Sequence, residues 1–284
     1  MGAIIGAVRV VVGQYEGIDA TPVLPLADGC LVAAARVDPE LAAVDFSIVL
    51  ERRPIAAAVQ EIARPDILGL SLYPWNAAYS LAVAAAARVA HPECLVIAGG
   101  PSVPRRPERA RRFLDEHPAI DILAFGEGEI TFRELVRARL TGNGFHDILG
   151  IAARDYITAP PGRVNDFTPT ASPYLDGTFD ERIDRHRDRF NMALCETTRG
   201  CPFSCTFRDW SLNKKVVEFP IERVFAELDW VVAHRLVDLR KSTGMPGTFY
   251  FYLTKNNHGR NLETIDILQG GGIWHMGRFG RPGF

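Results

Sequence analysis

Residues 66–104 read DILGLSLYPWNAAYSLAVAAAARVAHPECLVIAGGPSVP. Two short apolar runs, 66–72 and 94–100, bracket an alanine-rich segment with helical spacing over 77–90. Both runs are near-continuously apolar rather than alternating, as strands buried on two faces are. A strand, a helix and a second strand in this order form the unit of a parallel sheet. Each strand ends in small or turn-forming residues.

The same rhythm extends in both directions. Further β-rich runs stand at 3–12, 44–50 and 120–126, and helical patterns at 27–36, 54–63, 106–116 and 129–140. This alternation predicts an α/β fold, a doubly wound Rossmann-like sheet covered on both faces, over residues 1–150. Ligands of such sheets bind outside the carboxyl ends of the strands. Three loops stand there: SLYPWN with Ser71, Tyr73 and Trp75, GGPSVP with Gly99 and Gly100, and GEGEITF with Gly126, Glu127, Gly128 and Glu129. Glycine lets a backbone approach a ligand closely, and loop amides can meet polar groups. A plain structural reading stands beside each. A glycine can simply turn the chain, Trp75 can plug the sheet top, and the two glutamates can favour a helix start. No G-x-G-x-x-G follows the first strand, so a dinucleotide fingerprint is absent.

Composition bounds the classes open to the chain. Its 284 residues suffice for two domains; 47% hydrophobic and 23% charged content is ordinary for a globular protein. A net charge of −2 offers no field for nucleic acid. No apolar run is long enough to span a bilayer, so no membrane partner is expected. The start, MGAIIGAVRVVVGQY, reads as a strand and not as a signal peptide, and Gly6 stands where a myristoylation signal needs Ser or Thr. Five cysteines, two of them clustered, suit a reducing cytoplasm better than a disulfide framework. A Pro-, Gly-, Ser- and Thr-rich stretch marks a linker over 151–185, leaving 186–284 as a second domain.

That second domain carries ETTRGCPFSCTFRDW, residues 196–210. Cys201 and Cys205 stand four apart, and Arg208 follows three residues later. The loop resembles the C-x-x-x-C-x-x-C loop of radical S-adenosylmethionine enzymes. Together with SLYPWN, AGGPSVP, GEGEITF and SPYLDG, and with later segments to about residue 270, it resembles the cobalamin-binding members of that family. The resemblance implies a cobalamin domain followed by a (β/α) barrel. It further implies a 4Fe–4S cluster held by soft thiolates with one iron open to S-adenosylmethionine. Methyl transfer to a small-molecule substrate, antibiotic precursors among them, is the implied activity. An external electron donor such as a flavodoxin or ferredoxin is implied with it. The segment after the first strand, GQYEGIDATPVLPLADG, has no histidine, so cobalamin is expected to bind without a protein imidazole.

Three departures from the family pattern bear on this expectation. Arg208 occupies the third cysteine position, and a guanidinium cannot ligate iron. The run VVAHRLVDLRKSTG passes from one helix into what resembles the end of the next, as if one βα unit of about 20–25 residues were missing. The stretch from Arg208 to Phe284 is too short to finish a barrel at roughly 30 residues per unit, so the barrel is expected to be incomplete. A truncated or error-bearing enzyme sequence and a degenerate relative both fit. So do a non-catalytic cobalamin-binding or regulatory module and a simpler iron–sulfur protein. Cys195 is a remote alternative third ligand. Cys30 and Cys94 are expected as core or surface thiols, and His234, His258 and His275 as structural or solvated. Lys255, Asn256 and Asn257 end a β-like run and fit a barrel mouth or a solvated strand end.

Overall fold

The computed structural model describes residues 8–17, 23–162, 164–180, 183, 190, 192–200, 216–234, 250–254, 265–269 and 272–276. The chain divides into two compact units, one containing Ala27–Val164 and the strand at Arg9–Gly13, the other beginning its main body at Asn165.

In the first unit β1 (Arg9–Gly13), β2 (Asp45–Val49), β3 (Ile67–Ser71), β4 (Leu95–Gly99), β5 (Ile122–Ala124) and β6 (Ile151–Ala152) form one sheet in the order β2-β1-β3-β4-β5-β6. Every pairing is parallel except β5 with β6. The helices between them are α1 (Leu26–Arg36), α2 (Ile55–Ile62), α3 (Ala77–Ala90), α4 (Pro107–Glu116) and α5 (Gly128–Thr141). The expected alternation is therefore formed. The order reverses at β1 and β3, which makes the carboxyl edge there the topological switch point of a doubly wound sheet.

The two faces have separate cores. Val11, Leu68, Leu70, Val96, Ala98 and Leu123 pack in one buried cluster with Ala58 and Ile62 of α2, Val83, Ala84 and Ala87 of α3, and Ala110 and Leu114 of α4. On α3 the buried positions Ser80, Val83, Ala84 and Ala87 recur at helical spacing. Val10, Val12, Ile67 and Ile97 alternate with the first set and are also buried, as are Val32 and Ala33 of α1 and Phe132, Leu135 and Val136 of α5. All five β3 positions are buried, which accounts for its unbroken apolar run. Truncating one such leucine to alanine costs about 2–5 kcal/mol.

Residues 151–164, expected as the start of a linker, lie in the first unit. β6 adds to the sheet edge antiparallel to β5, and Ile157 bridges back to Ala152. A short antiparallel turn-back needs no crossover helix, so no helical pattern announces it.

The second unit contains β7 (Met192–Glu196), β8 (Thr198–Arg199), β9 (Val217–Glu218), α6 (Ile221–Ala233), β10 (Tyr250–Thr254), β11 (Ile265–Gln269) and β12 (Gly272–Met276). β7 pairs with β10, β8 with β9 and β11 with β12, each antiparallel. The parallel strand pairing of a barrel is therefore not formed among the described residues. The Pro-rich stretch entering this unit is irregular but anchored. Phe167 stacks on Phe219 at 4.4 Å, and the Tyr174 hydroxyl donates to the Leu194 carbonyl at 2.6 Å. The Arg223 guanidinium donates to the Thr170 carbonyl at 2.8 Å. Phe167, Tyr174 and Phe179 are buried. Composition resists regular structure there without preventing tertiary packing.

Candidate functional site

The site is built at the carboxyl ends of β1, β3, β4 and β5. Ser71 ends β3 and stands in register with Gly99, which ends β4. The Ser71 hydroxyl donates to Oδ1 of Asp28 at 2.5 Å, and both residues are buried. Asp28 comes from the first turn of α1, where the helix dipole favours a carboxylate. A residue on the β1–β2 crossover thus fixes the end of β3.

Asn76 organises the loop that follows. It precedes α3 but does not cap it through its side chain. Its Oδ1 accepts from the Tyr73 amide at 2.8 Å, and its Nδ2 donates to the Ser71 carbonyl at 3.0 Å and the Tyr15 carbonyl at 3.1 Å. Only 1% of it is exposed. Three backbone groups at the switch point are thereby satisfied by one carboxamide, leaving the loop little freedom to spread. Above this base the Tyr73 and Trp75 rings stack at 4.6 Å and 16°. Trp75 stays 56% exposed, a large apolar surface held in solvent. Beneath them Tyr15 is buried edge-on to Tyr79 at 4.8 Å. Burial pushes the Tyr15 hydroxyl pKa well up, with the charges of Tyr79, Glu61 and Asp28 adding to it.

The glycines separate into kinds. Gly100 has φ of +95°, and a Cβ there would stand 2.7 Å from the Leu72 carbonyl oxygen. The Leu72 amide donates to the Gly99 carbonyl at 2.8 Å and its carbonyl accepts from the Ser102 amide at 3.0 Å. Backbone meets backbone, which only glycine permits. Gly126, with φ of +97°, lies against Pro161, and Gly128 lies against Leu31 of α1; added Cβ atoms would stand 2.8 and 3.0 Å away. Packing explains these three. Gly99 differs: a Cβ there meets only Ala124, at 3.6 and 3.9 Å, so the fold does not require glycine. Glu127 precedes α5 without capping it, and its carboxylate accepts from the Val164 amide at 2.9 Å. Glu129 lies in the first turn of α5.

The structure thus brings Ser71, Tyr73, Trp75, Gly99 and Gly100 to adjacent strand ends, with Gly126–Glu129 at the next. Sequence reading missed Asp28 and Asn76. Asn76 reads as an ordinary helix start, and Asp28 lies on a distant segment with no local signal. This edge fits cobalamin. The opposed small residues Ser71 and Gly99 leave the strand ends low, an exposed aromatic face stands beside them, and peptide groups are at hand for the amides of a corrin rim. Residues 14–17, 71–76, 99–104 and 126–129 contain no histidine.

The cluster loop, Cys201, Cys205 and Arg208, lies outside the described residues, as do Lys255, Asn256, Asn257 and His258. Among the described residues no three His, Cys, Asp or Glu side chains gather as a metal-holding group. Cys195 on β7 is buried, and that burial, with Glu227 nearby, drives its thiol pKa strongly upward, opposite to what a thiolate ligand needs. Cys30 and Cys94 are buried thiols of the first unit. His234 stacks on Trp230 at 3.9 Å with its Nδ1 2.7 Å from the Trp230 carbonyl, a structural position. No helix among the described residues is long and apolar enough to cross a membrane.

Residues 32–136 match the B12 binding domain family. The chain is 40% identical over an alignment 299 positions long, gaps included, to the 2-(S-pantetheinyl)-carbapenam-3-carboxylate methyltransferase of Streptantibioticus cattleyicolor, covering 90% of this chain and 43% of that protein. It is 38% identical over 239 to the cobalamin-dependent radical SAM methyltransferase TokK of Streptomyces tokunonensis, covering 79% and 34%. The chain therefore spans less than half the length of these relatives. Among solved structures, the cobalamin-dependent S-adenosylmethionine radical enzyme OxsB aligns with a TM-score of 0.61 at 19% identity, covering 80% of this chain and 32% of that one. The radical S-adenosylmethionine methyltransferase TsrM of Kitasatospora setae aligns with a TM-score of 0.59 at 14% identity, covering 82% and 48%. These two likenesses concern the fold alone. The switch-point edge, the matched B12 binding domain and the two close relatives agree: the chain belongs to the cobalamin-binding radical S-adenosylmethionine family.

Proposed function

We propose that the chain holds cobalamin at the carboxyl edge of its six-stranded sheet and is built for methyl transfer from S-adenosylmethionine to a small metabolite, carbapenam-type antibiotic precursors among them, an activity impaired here by the arginine at the third cluster position. The observation that carries this reading is the low, aromatic-walled strand edge of Ser71, Gly99, Tyr73 and Trp75 inside a segment matching the B12 binding domain family. When bound, cobalamin supplies a carrier for the methyl group. The protein's contribution is placement. Asp28 and Asn76 fix the ends of the β3 loop, the stacked rings offer an apolar contact face, and Gly99 leaves room at the strand end.

One relative supports the substrate class, being a methyltransferase of a pantetheinyl carbapenam carboxylate. Cys201 and Cys205 are proposed as cluster ligands in an incomplete set, with Arg208 at the third position. The cytoplasm and an external reductant, a flavodoxin or ferredoxin, complete the reading. The cobalamin domain is proposed to run through β6 to residue 164, with 165–185 as a linker with packed anchors and 186–284 as part of an incomplete radical S-adenosylmethionine barrel.

The test is anaerobic reconstitution of the full chain with iron, sulfide and hydroxocobalamin, followed by S-adenosylmethionine labelled in its methyl group, a reductant and a carbapenam carboxylate. Label in the substrate at a reduced rate, dependent on cobalamin, supports the reading. Cobalamin retained without label transfer would reduce the chain to a cobalamin-binding module.

A further inference from the structure

β2 is an outer strand, yet the loop that follows it reaches the switch-point edge. Tyr79, in the first turn of α3, fixes that loop: its hydroxyl donates to the Arg53 carbonyl at 2.7 Å and accepts from the Arg53 amide at 2.9 Å. The Arg53 side chain pairs with Glu51 at 2.5 Å and Glu61 at 3.1 Å. Arg52 does something different. Its Nε donates to the Glu16 carbonyl at 2.5 Å and its Nη2 donates to the Trp75 carbonyl. Its guanidinium carbon stands 5.3 Å from the Tyr79 ring centroid. Among the described residues it makes no ion pair.

Resting on the cobalamin reading above, we infer that Arg52 is a positioning residue for the cobalamin site, tying the Trp75 backbone to Glu16 in the loop after β1 and so setting the Tyr73–Trp75 pair against the bound corrin. Trp75 has too little burial to fix its own ring. Asn76 holds the loop at Tyr73 and Ser71, on one side of Trp75, and Arg52 holds it at Trp75 itself. Two carbonyls on different loops need one rigid, two-pronged donor. A guanidinium meets that need, whereas a lysine ammonium is a point charge on a flexible stem. Its cation is committed to neutral carbonyls on a surface loop, a use that serves geometry better than fold stability.

The test compares full-length wild type with Arg52→Met, Arg52→Lys and Trp75→Ala, alone and combined. Cobalamin dissociation constants are measured well below the thermal midpoint, with near-ultraviolet circular dichroism of the cobalamin-free chains. Arg52→Met is expected to weaken cobalamin about tenfold and to diminish the near-ultraviolet signal of the stacked rings. Arg52→Lys should recover part of both. In the Trp75→Ala background, Arg52→Met should add little, because its effect passes through Trp75. Unchanged affinity and ring signal in Arg52→Met would overturn the inference. So would a loss in the double variant equal to the sum of the single losses. If wild type itself binds no cobalamin, the cobalamin reading and the site assignment fall together, while the ring signal still decides whether Arg52 holds the aromatic pair.

Discussion

The Ser71 hydroxyl and the Asp28 carboxylate meet at 2.5 Å inside the protein, one from the end of β3 and the other from the first turn of α1. A buried carboxylate that loses a donor loses a charge-assisted hydrogen bond that water does not replace. Ser71→Ala should therefore lower stability by about 1–3 kcal/mol. It should also weaken cobalamin retention, because the strand end carrying the loop is released. Chemical unfolding and cobalt content after desalting check the two effects. A variant as stable as wild type would show that the contact contributes nothing.

The glycines of the β4 loop predict opposite outcomes one residue apart. Gly100→Ala forces a Cβ to 2.7 Å from the Leu72 carbonyl at a left-handed φ, and should cost about 1–3 kcal/mol. Gly99→Ala meets only Ala124 at 3.6 Å, and should stay within about 0.5 kcal/mol of wild type. Its expected effect is on cobalamin affinity, since it raises the strand end facing the ligand. Thermal unfolding beside cobalamin titration separates the two. Equal destabilisation by both variants would contradict the distinction.

The Asp38–Arg137 pair gives a pH dependence of known sign. Burial alone would raise the Asp38 pKa, but hydrogen bonds from the Glu40 amide and the Arg137 guanidinium outweigh it and hold the carboxyl below its ordinary value. A depressed carboxylate pKa contributes stability above the unfolded value, 3.8, and loses it as pH falls through the folded value. Asp38→Asn should therefore be less stable than wild type at pH 7, with the gap closing in acid below that value. Urea unfolding across pH reads this directly. A gap that stays constant into acid would assign the effect to packing.

Thiol chemistry tests the cluster assignment. Cys30, Cys94 and Cys195 are buried, and burial pushes the Cys94 thiol up to about 11. Native alkylation near neutral pH should spare all three. Two thiolates, Cys201 and Cys205, leave two irons of a four-iron cluster without protein ligands. Arg208→Cys should accordingly raise iron and sulfide toward about four each per chain after anaerobic reconstitution. Four irons in the unaltered chain would require another ligand, and rapid alkylation of Cys195 would make it the candidate.

Much of the first unit was legible because its signals are local. The alanine-rich helix expected over 77–90 is α3, Ala77–Ala90, and the apolar runs around it are β3 and β4. The first strand, expected over 3–12, is described as Arg9–Gly13, residues 3–7 lying outside the described residues. Glycine marked the loops but not its own reason: Gly100, Gly126 and Gly128 answer to backbone and packing, while Gly99 does not. The side chains that shape the site were hidden because their partners are remote in sequence. Asp28 meets Ser71 across 43 residues and Arg52 meets Trp75 across 23. Strand direction in the second unit was equally hidden, since an apolar run such as Tyr250–Thr254 pairs either way and the structure sets it antiparallel to β7.

The placement of cobalamin is tested most directly by hydrogen exchange of backbone amides, read by mass spectrometry on the full chain with and without hydroxocobalamin. The account predicts slowed exchange at the carboxyl edge, over residues 72–76 and 99–103, with no change at the opposite edge around 91–94 and 118–121. Protection at that opposite edge, or none anywhere when cobalt is bound, would contradict it.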